Sequence, residues 1–286
     1  MDQDKPLVWV TGARGLIGNY LVQTAGEKAP GWRVRGLARA DADLTDFGAV
    51  ERLFRQEAPR FILHCAALSR GVECQENPAR ARLQNVEVTR HLSRLASDIP
   101  FIFMSTDLVF DGRQGGYSEH ARTNPLSVYG ETKAEAEAVV LSNAKHCVVR
   151  TSINGGTSPA ANRGFNEDMR RAWMAGRSLT LFTDEFRNPI PAVVTARALW
   201  ELVERFVPGI YHLAGTEKVS RWRLGELIAA RWPQLQPKIQ PGLLAEYQGP
   251  PRPADTSMHC SKLQRLLSFP LPGISEWLAQ HPNEVF

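Results

Sequence analysis

Cysteine is sparse in this 286-residue chain: Cys65, Cys74, Cys147 and Cys260 lie far apart, with no C-x-x-C pair and no histidine at a ligand-like spacing. That pattern excludes a disulfide framework and a zinc site, and it fits reduced thiols in a cytosol. No apolar run reaches the length of a membrane span, and the opening MDQDKPLVWV has neither a basic region ahead of an apolar stretch nor a small-residue cleavage site. A soluble, cytoplasmic protein that does not bind membranes is expected. The net charge is only +4, and the arginines are neither clustered nor interleaved with aromatics, so a nucleic-acid footprint is lacking too. The densest set, Arg80, Arg82, Arg90 and Arg94, reads as the solvated face of a helix. His64 and His212 each sit inside an apolar run and read as hydrogen-bonded core histidines; no metal is expected.

What is present is an ordinary globular composition, 43% hydrophobic and 22% charged, without repeats or low-complexity tracts. A chain of this length can bury about three quarters of its unfolded surface. Its first half alternates short apolar runs with amphipathic stretches. LVWVT (7–11) reads as a buried strand, followed by a glycine turn and a helix through LIGNYLVQTAGE. WRVRGLA, RFILHCAA, PFIFMST and HCVVRTS read as further strands. Between them, Phe47, Val50, Leu53 and Phe54 share a helical face that stops before Pro59, and Asn77–Pro78 opens a helix running to about Ser97. Such alternation predicts an α/β fold with a doubly wound parallel sheet. After residue 152 the pattern loosens: INGGTSPAANRGF and KIQPGLLAEYQGPPRPADT read as loops, while AVVTARALWELVERF, GIYHLAG and RWRLGELIAARW read as helix, strand and helix. The expected organisation is a Rossmann-type domain over 1–152, its sheet completed by roughly 190–215, and a smaller substrate lobe from 153–189 and 216–286. The cleft should lie above the carboxyl ends of the strands.

Gly12, Gly15 and Gly18 in TGARGLIG follow the first strand and open a helix. Alone the pattern is weak. In a strand-turn-helix setting it lets backbone approach a pyrophosphate at a helix N-terminus, so a dinucleotide is the expected cofactor, held by Gly12, Arg14, Gly15, Leu16, Ile17 and Gly18. The second strand ends in Ala38, Arg39 and Ala40 where an NAD-type site would offer an acid. Arg39 and Arg14 together suit a 2′-phosphate and favour NADP(H); the competing reading has Arg39 as a solvated strand-end charge and Asp41 on the ribose.

Tyr129 and Lys133, in SVYGETK, are four residues apart and share one helical face. Beside a nicotinamide cofactor, a tyrosine whose phenol is lowered by a neighbouring ammonium could protonate a carbonyl oxygen as hydride reaches its carbon. Thr106, at the end of the fourth strand, could donate a hydrogen bond to the same oxygen.

The stretches TGARGLIG, STDLVFDG, YSEHARTNPLSVYGETKAEAE, EFRNPIPA and RPADTSMHCSKL resemble the extended short-chain dehydrogenase/reductase family, and within it the dTDP-4-dehydrorhamnose reductase group. The likeness runs over nearly the whole chain. It implies Thr106, Tyr129 and Lys133 as the catalytic set, with Tyr129 and Lys133 also touching the cofactor. It also implies Asp43 and Leu44 beside the adenine, Ala66 and Ala67 near the nicotinamide half, and Asn85 as the helix residue facing the central site. Asp107, Arg187 and Arg252 would lie near the sugar nucleotide, while Asp111 and Glu119 read as acids that shape a loop. The implied activity is NADPH-dependent reduction of a nucleotide-activated 4-keto-6-deoxy sugar, most simply dTDP-4-dehydro-L-rhamnose to dTDP-L-rhamnose, and the group admits a homodimer. Leu108 stands where the group usually has tyrosine, and RTSINGG lacks the tryptophan commonly found after RTS, which leaves the sugar open. The same text resembles the regulatory beta subunit of methionine adenosyltransferase, and an epimerase could also use this scaffold.

Overall fold

A computed structural model describes residues 4–286; the first three residues of the opening stretch read above lie outside it. In chain order the first half comprises β1 (Leu7–Thr11), α1 (Leu16–Lys28), β2 (Arg33–Leu37), α2 (Phe47–Glu57), β3 (Phe61–His64), α3 (Gly71–Glu76), α4 (Pro78–Arg82), α5 (Val88–Leu95), β4 (Phe101–Thr106), α6 (Val128–Leu141) and β5 (His146–Thr151). The second half comprises β6 (Asn154–Gly155), α7 (Phe165–Met174), β7 (Leu179–Phe182), β8 (Phe186–Arg187), β9 (Ile190–Pro191), α8 (Ala192–Glu204), β10 (Gly209–Leu213), β11 (Val219–Ser220), α9 (Arg221–Ala229), β12 (Ile239–Gly242), α10 (Ser261–Gln264) and α11 (Ile274–Gln280).

β1, β3, β4 and β5 are buried along their whole length, which is why each reads as an unbroken apolar run rather than an alternating one. They form one parallel sheet in the order β2-β1-β3-β4-β5-β10. One face is covered by α1 and α8, whose Leu21, Leu199 and Trp200 pack on Val8, Val10 and Leu213. The other is covered by α2, α5 and α6, whose Val50, Leu92 and Val140 pack on Trp9, Ile62 and Phe103. Strand order reverses between β1 and β3, so the loops after these strands diverge and leave a crevice at their carboxyl ends. This is the α/β, Rossmann-type doubly wound fold that the alternation predicts.

The helix opened by Asn77 is capped as expected, the Asn77 side chain accepting from the Arg80 amide. It is not uniform, however: between α4 and α5, Leu83–Glu87 forms a wide π turn, with the Val88 amide reaching back to Leu83. Arg80, Arg82 and Arg90 lie on its solvent side, paired with Glu73, Glu135 and Glu87. His64 and His212 are fully buried and hydrogen-bonded, His64 between Thr11 and Thr89, and His212 to the His259 carbonyl and the Arg150 guanidinium.

Beyond β5 a second hydrophobic core joins α7, β7, α9 and α11 through Met169, Trp173, Leu181, Leu224, Ile228 and Trp277. Two segments read as loops contain structure: β12 pairs in parallel with β7, and α7 begins at Phe165, where the first of those loops ends. Among the described residues no helix is long and apolar enough to cross a membrane.

Candidate active site

The crevice between the β1 and β3 loops is a cleft of about 680 Å³ running from Arg39 and Leu44 at one end to Thr106, Tyr129 and Ser152 at the other. Its floor is the glycine turn. Gly12 has φ +70°, and a Cβ there would lie 2.7 Å from the Ala66 amide nitrogen; a Cβ on Gly18 would lie 2.3 Å from the Gly12 carbonyl oxygen. Neither position tolerates a side chain, so the turn folds tightly against the β3 loop and keeps its backbone open to the cleft. The N-terminus of α1 carries no side-chain cap and no acid in its first turn. Its free amides therefore face the cleft and suit an anion. Turn and helix end together fit a dinucleotide pyrophosphate.

At the far end of β2, Arg39 is largely exposed and only loosely paired with Asp43 at 3.5 Å, and Arg14 also lines the cleft. Asp41 is turned back, accepting from the Ala38 amide at 2.9 Å. Asp43 accepts from the Thr45 amide and hydroxyl, bonds that lower its pKa, and its neighbour Leu44 lines the cleft beside it. Ala66 and Ala67 form the opposite wall after β3.

Ser127 caps α6 by accepting from the Gly130 amide, and the helix projects Tyr129 and Lys133 into the cleft. A Cβ on Gly130 would lie 2.3 Å from the Leu108 carbonyl oxygen, so only glycine lets α6 approach the end of β4 this closely. Thr106, Tyr129 and Lys133 thus line one end of the same cleft. The buried Lys133 ammonium donates to the Met104 carbonyl at 2.6 Å and lies 3.8 Å from the Phe103 ring centre. Burial lowers its pKa to about 7, against an upward pull from Glu137. The tyrosine departs from expectation. Burial raises the phenol well above its ordinary value, Cys74 and Asp107 push the same way, and a hydrogen bond with Thr106 is the only opposing influence. The Lys133 ammonium donates to the Met104 carbonyl and does not offset this desolvation.

Three further residues expected at a ligand do not line the cleft and are held by protein partners. Asn85 does not face the cleft: its side chain accepts from the Leu68 amide at 2.8 Å and donates to the Leu68 carbonyl and the Thr132 hydroxyl at 3.0 Å. It clamps the β3 loop onto α6, and its neighbours Gln84 and Val88 line the cleft instead. Arg187 is buried and engaged by the Phe186 and Pro253 carbonyls and by Glu185, 3.0 Å away. Asp107 is likewise buried, accepting from Ser152 and Thr256 at 2.9 Å. Asp111 does shape a loop, accepting from the Tyr117 hydroxyl, the Asn124 amide group and the Arg113 backbone.

Arg252 meets both Glu185 oxygens at 2.8 Å and borders a second cavity of about 490 Å³, lined also by Phe165, Phe182, Tyr247 and Arg221. Arg221 escaped the sequence reading. It stacks 3.8 Å from the Phe165 ring centre and is the first residue of α9, where the helix dipole disfavours a cation. That misplaced charge was the available signal: it is compensated by Glu185 at 3.8 Å. Burial would raise the Glu185 carboxyl, but Arg221, Arg252 and Arg187 together hold it near 2.

Fold, glycine turn and cleft define a Rossmann-type nucleotide-binding protein. The chain belongs to the family described as "RmlD substrate binding domain", whose model matches residues 7–285. It is 30% identical over 282 residues to a dTDP-4-dehydrorhamnose reductase of Sinorhizobium fredii, covering 93% of both chains. It is 28% identical to the methionine adenosyltransferase 2 subunit beta of Xenopus laevis, over 90% of this chain and 81% of that one. A crystal structure of the dTDP-4-dehydrorhamnose reductase of Bacillus anthracis in complex with NADP shares the fold, with a TM-score of 0.87 at 22% identity over 96% of this chain and 98% of the other.

Proposed function

We propose that the protein is an NADPH-dependent reductase of a nucleotide-activated sugar, acting on a 4-keto-6-deoxy sugar and most simply on dTDP-4-dehydro-L-rhamnose. The observation that carries this reading is the meeting of Thr106, Tyr129 and Lys133 in one cleft with the glycine turn and the uncapped α1 N-terminus. NADPH, when bound, would supply the hydride.

The chain's own residues supply the rest. Tyr129, kept protonated at neutral pH by its burial, gives its proton to the carbonyl oxygen as that oxygen gains charge. Thr106 donates to the same oxygen. Lys133, fixed by Met104, holds the ribose side of the cofactor and lends positive charge as the phenolate forms. Arg39 and Arg14 meet the 2′-phosphate. The division into 1–152 with 190–215 and 153–189 with 216–286 assigns the second core to substrate. Its aromatic cavity, with Arg221 and Arg252, suits a base and a diphosphate.

The test is absorbance at the reduced-nicotinamide band with NADPH and a freshly made dTDP-4-keto-6-deoxy sugar. Stoichiometric loss of NADPH supports the reading and rejects an epimerase, which regenerates its cofactor. The similarity to methionine adenosyltransferase beta subunits favours a second reading, a cofactor-binding regulatory subunit. Cofactor binding with no sugar reduction, together with a stable complex with such an enzyme, would support that one instead.

A further inference from the structure

Between β6 and α7 the chain makes a nine-residue loop, Gly156–Gly164, that no motif foretold. It is pinned on both sides of the cleft. On the α1 side, Thr157 donates its amide to the Tyr20 hydroxyl at 3.1 Å and accepts from the Asn19 side chain at 3.4 Å. Beyond β3, Arg70 donates to the Asn162 carbonyl at 2.7 Å. The loop therefore bridges both lips of the crevice at which strand order reverses.

Its shape is set from within. The buried Glu167 carboxylate accepts from the Ser158 amide at 2.7 Å and hydroxyl at 2.8 Å, and from the Arg163 and Gly164 amides at 2.8 Å. Asn166, fully buried, exchanges hydrogen bonds with both backbone groups of Gly156. Ala161 is held at φ +50°, a conformation costly for a residue with a Cβ and kept only where its surroundings enforce it. Such a loop is formed before any ligand arrives.

The one charged side chain of this loop is chemically unspent. Arg163 lines the cleft together with Gly15, Leu16 and Ile17, and among the described residues its guanidinium has no carboxylate partner. Its neighbour Gly164 lies against α1: a Cβ built there would be 3.5 Å from Leu16 Cδ2. That location is the uncapped N-terminus of α1, whereas Arg39 follows the end of β2. We propose that Gly156–Gly164 is a fixed strap over the dinucleotide cleft and that Arg163 supplies a cationic contact to the cofactor's pyrophosphate, distinct from the 2′-phosphate contact of Arg39. The inference rests on the dinucleotide reading above.

Binding of NADP⁺, NAD⁺, ADP-ribose and 2′-AMP, followed by quenching of tryptophan fluorescence, tests it in the wild type, Arg163→Ala and Arg39→Ala. Arg163→Ala should weaken the three pyrophosphate ligands by a common factor of about tenfold and leave 2′-AMP unchanged. Arg39→Ala should weaken NADP⁺ and 2′-AMP and spare NAD⁺ and ADP-ribose. Unchanged binding in Arg163→Ala, or a loss confined to NADP⁺ and 2′-AMP, overturns the assignment while leaving the cofactor reading intact. A wild type that binds none of the four overturns both. Glu167→Gln, which loosens the strap without removing a charge from the cleft, should reproduce the common loss in weaker form; full wild-type affinity there would refute a fixed strap.

Discussion

Two cavities of this molecule spend their charges in opposite ways. Along the cofactor cleft, Arg39 is loosely paired, Arg14 and Arg163 have no carboxylate partner among the described residues, and the floor is bare backbone. In the region bordering the aromatic cavity, Arg187, Arg221 and Arg252 converge on one fully buried carboxylate, Glu185. The first is a surface ready to accept an anion. The second is a preassembled network with a surplus of positive charge, in which each arginine is oriented by a protein partner before any ligand arrives. The lesson is that an arginine near a ligand site can serve by donating to the ligand or by holding the neighbour that does, and Arg187, 3% exposed, holds Glu185.

The largest effect should come from the cleft. Tyr129→Phe is expected to cut sugar reduction by about 10²- to 10⁴-fold, the usual contribution of a positioned proton donor, while cofactor titration and the melting temperature stay close to wild type. Retention of most of the turnover would separate the motif from the chemistry. The comparison is then broken from the other side with Glu185→Gln. Removing the shared carboxylate charge leaves three buried or half-buried guanidiniums under-compensated, at a cost of about 3–5 kcal/mol by denaturant titration. Arg252→Ala, at the cavity rim, should cost clearly less stability. The sign in pH follows from the depressed carboxyl. Its stabilisation is complete above its ordinary value of 4.5 and is lost as pH falls toward 2, so Glu185→Gln should flatten the acid limb of the stability profile.

The cleft was legible in the sequence because its parts are local. TGARGLIG is one turn and SVYGETK one helix start, each with a local contact inside its own stretch: Gly18 lies against the Gly12 carbonyl, and Ser127 caps the Gly130 amide. The parallel strands were legible because burial on both faces leaves uninterrupted apolar runs. The second core was legible only in its helix α9. The strands β6, β8, β9 and β11 of this half are two residues long, β12 contains Pro241, and α7 opens with FNEDMRR, whose polar surface hides the buried Met169–Trp173 side. Asn85, Asp107 and Arg187 were assigned to ligands for a related reason. Motif text records that a polar residue recurs, but only tertiary distances say whether its partner is a substrate or, as here, the Leu68 backbone, Thr256 or Glu185.

A smaller effect sharpens the cofactor side. Arg39→Ala should lower NADPH affinity about tenfold and leave NADH unchanged, since only the former brings a phosphate to the end of β2. If both fall equally, Arg39 acts on the ribose or the adenine, and the contrast with Arg163 disappears.

The smallest effect is a pH slope, and it reports on Lys133 without any ligand. Burial holds this amine near 7 against an ordinary value of 10.5, so in that interval the unfolded chain binds a proton that the folded one does not. Stability should therefore rise with pH above neutrality. Other buried groups bound the window. His64 and His212, lowered to about 3 by burial, add a rise that is complete near their ordinary value of 6.5. The thiols of Cys65 and Cys260, raised to about 12, contribute stability that is lost as pH climbs past their ordinary value of 9.0. Between about 7 and 9 the amine dominates among these groups, and Lys133→Met, which keeps the length and removes the charge, should flatten the melting temperature there. A slope unchanged in that variant would mean that the ammonium finds solvation in the free protein, and the cleft would then be wetter around Lys133 than its 2% exposure implies.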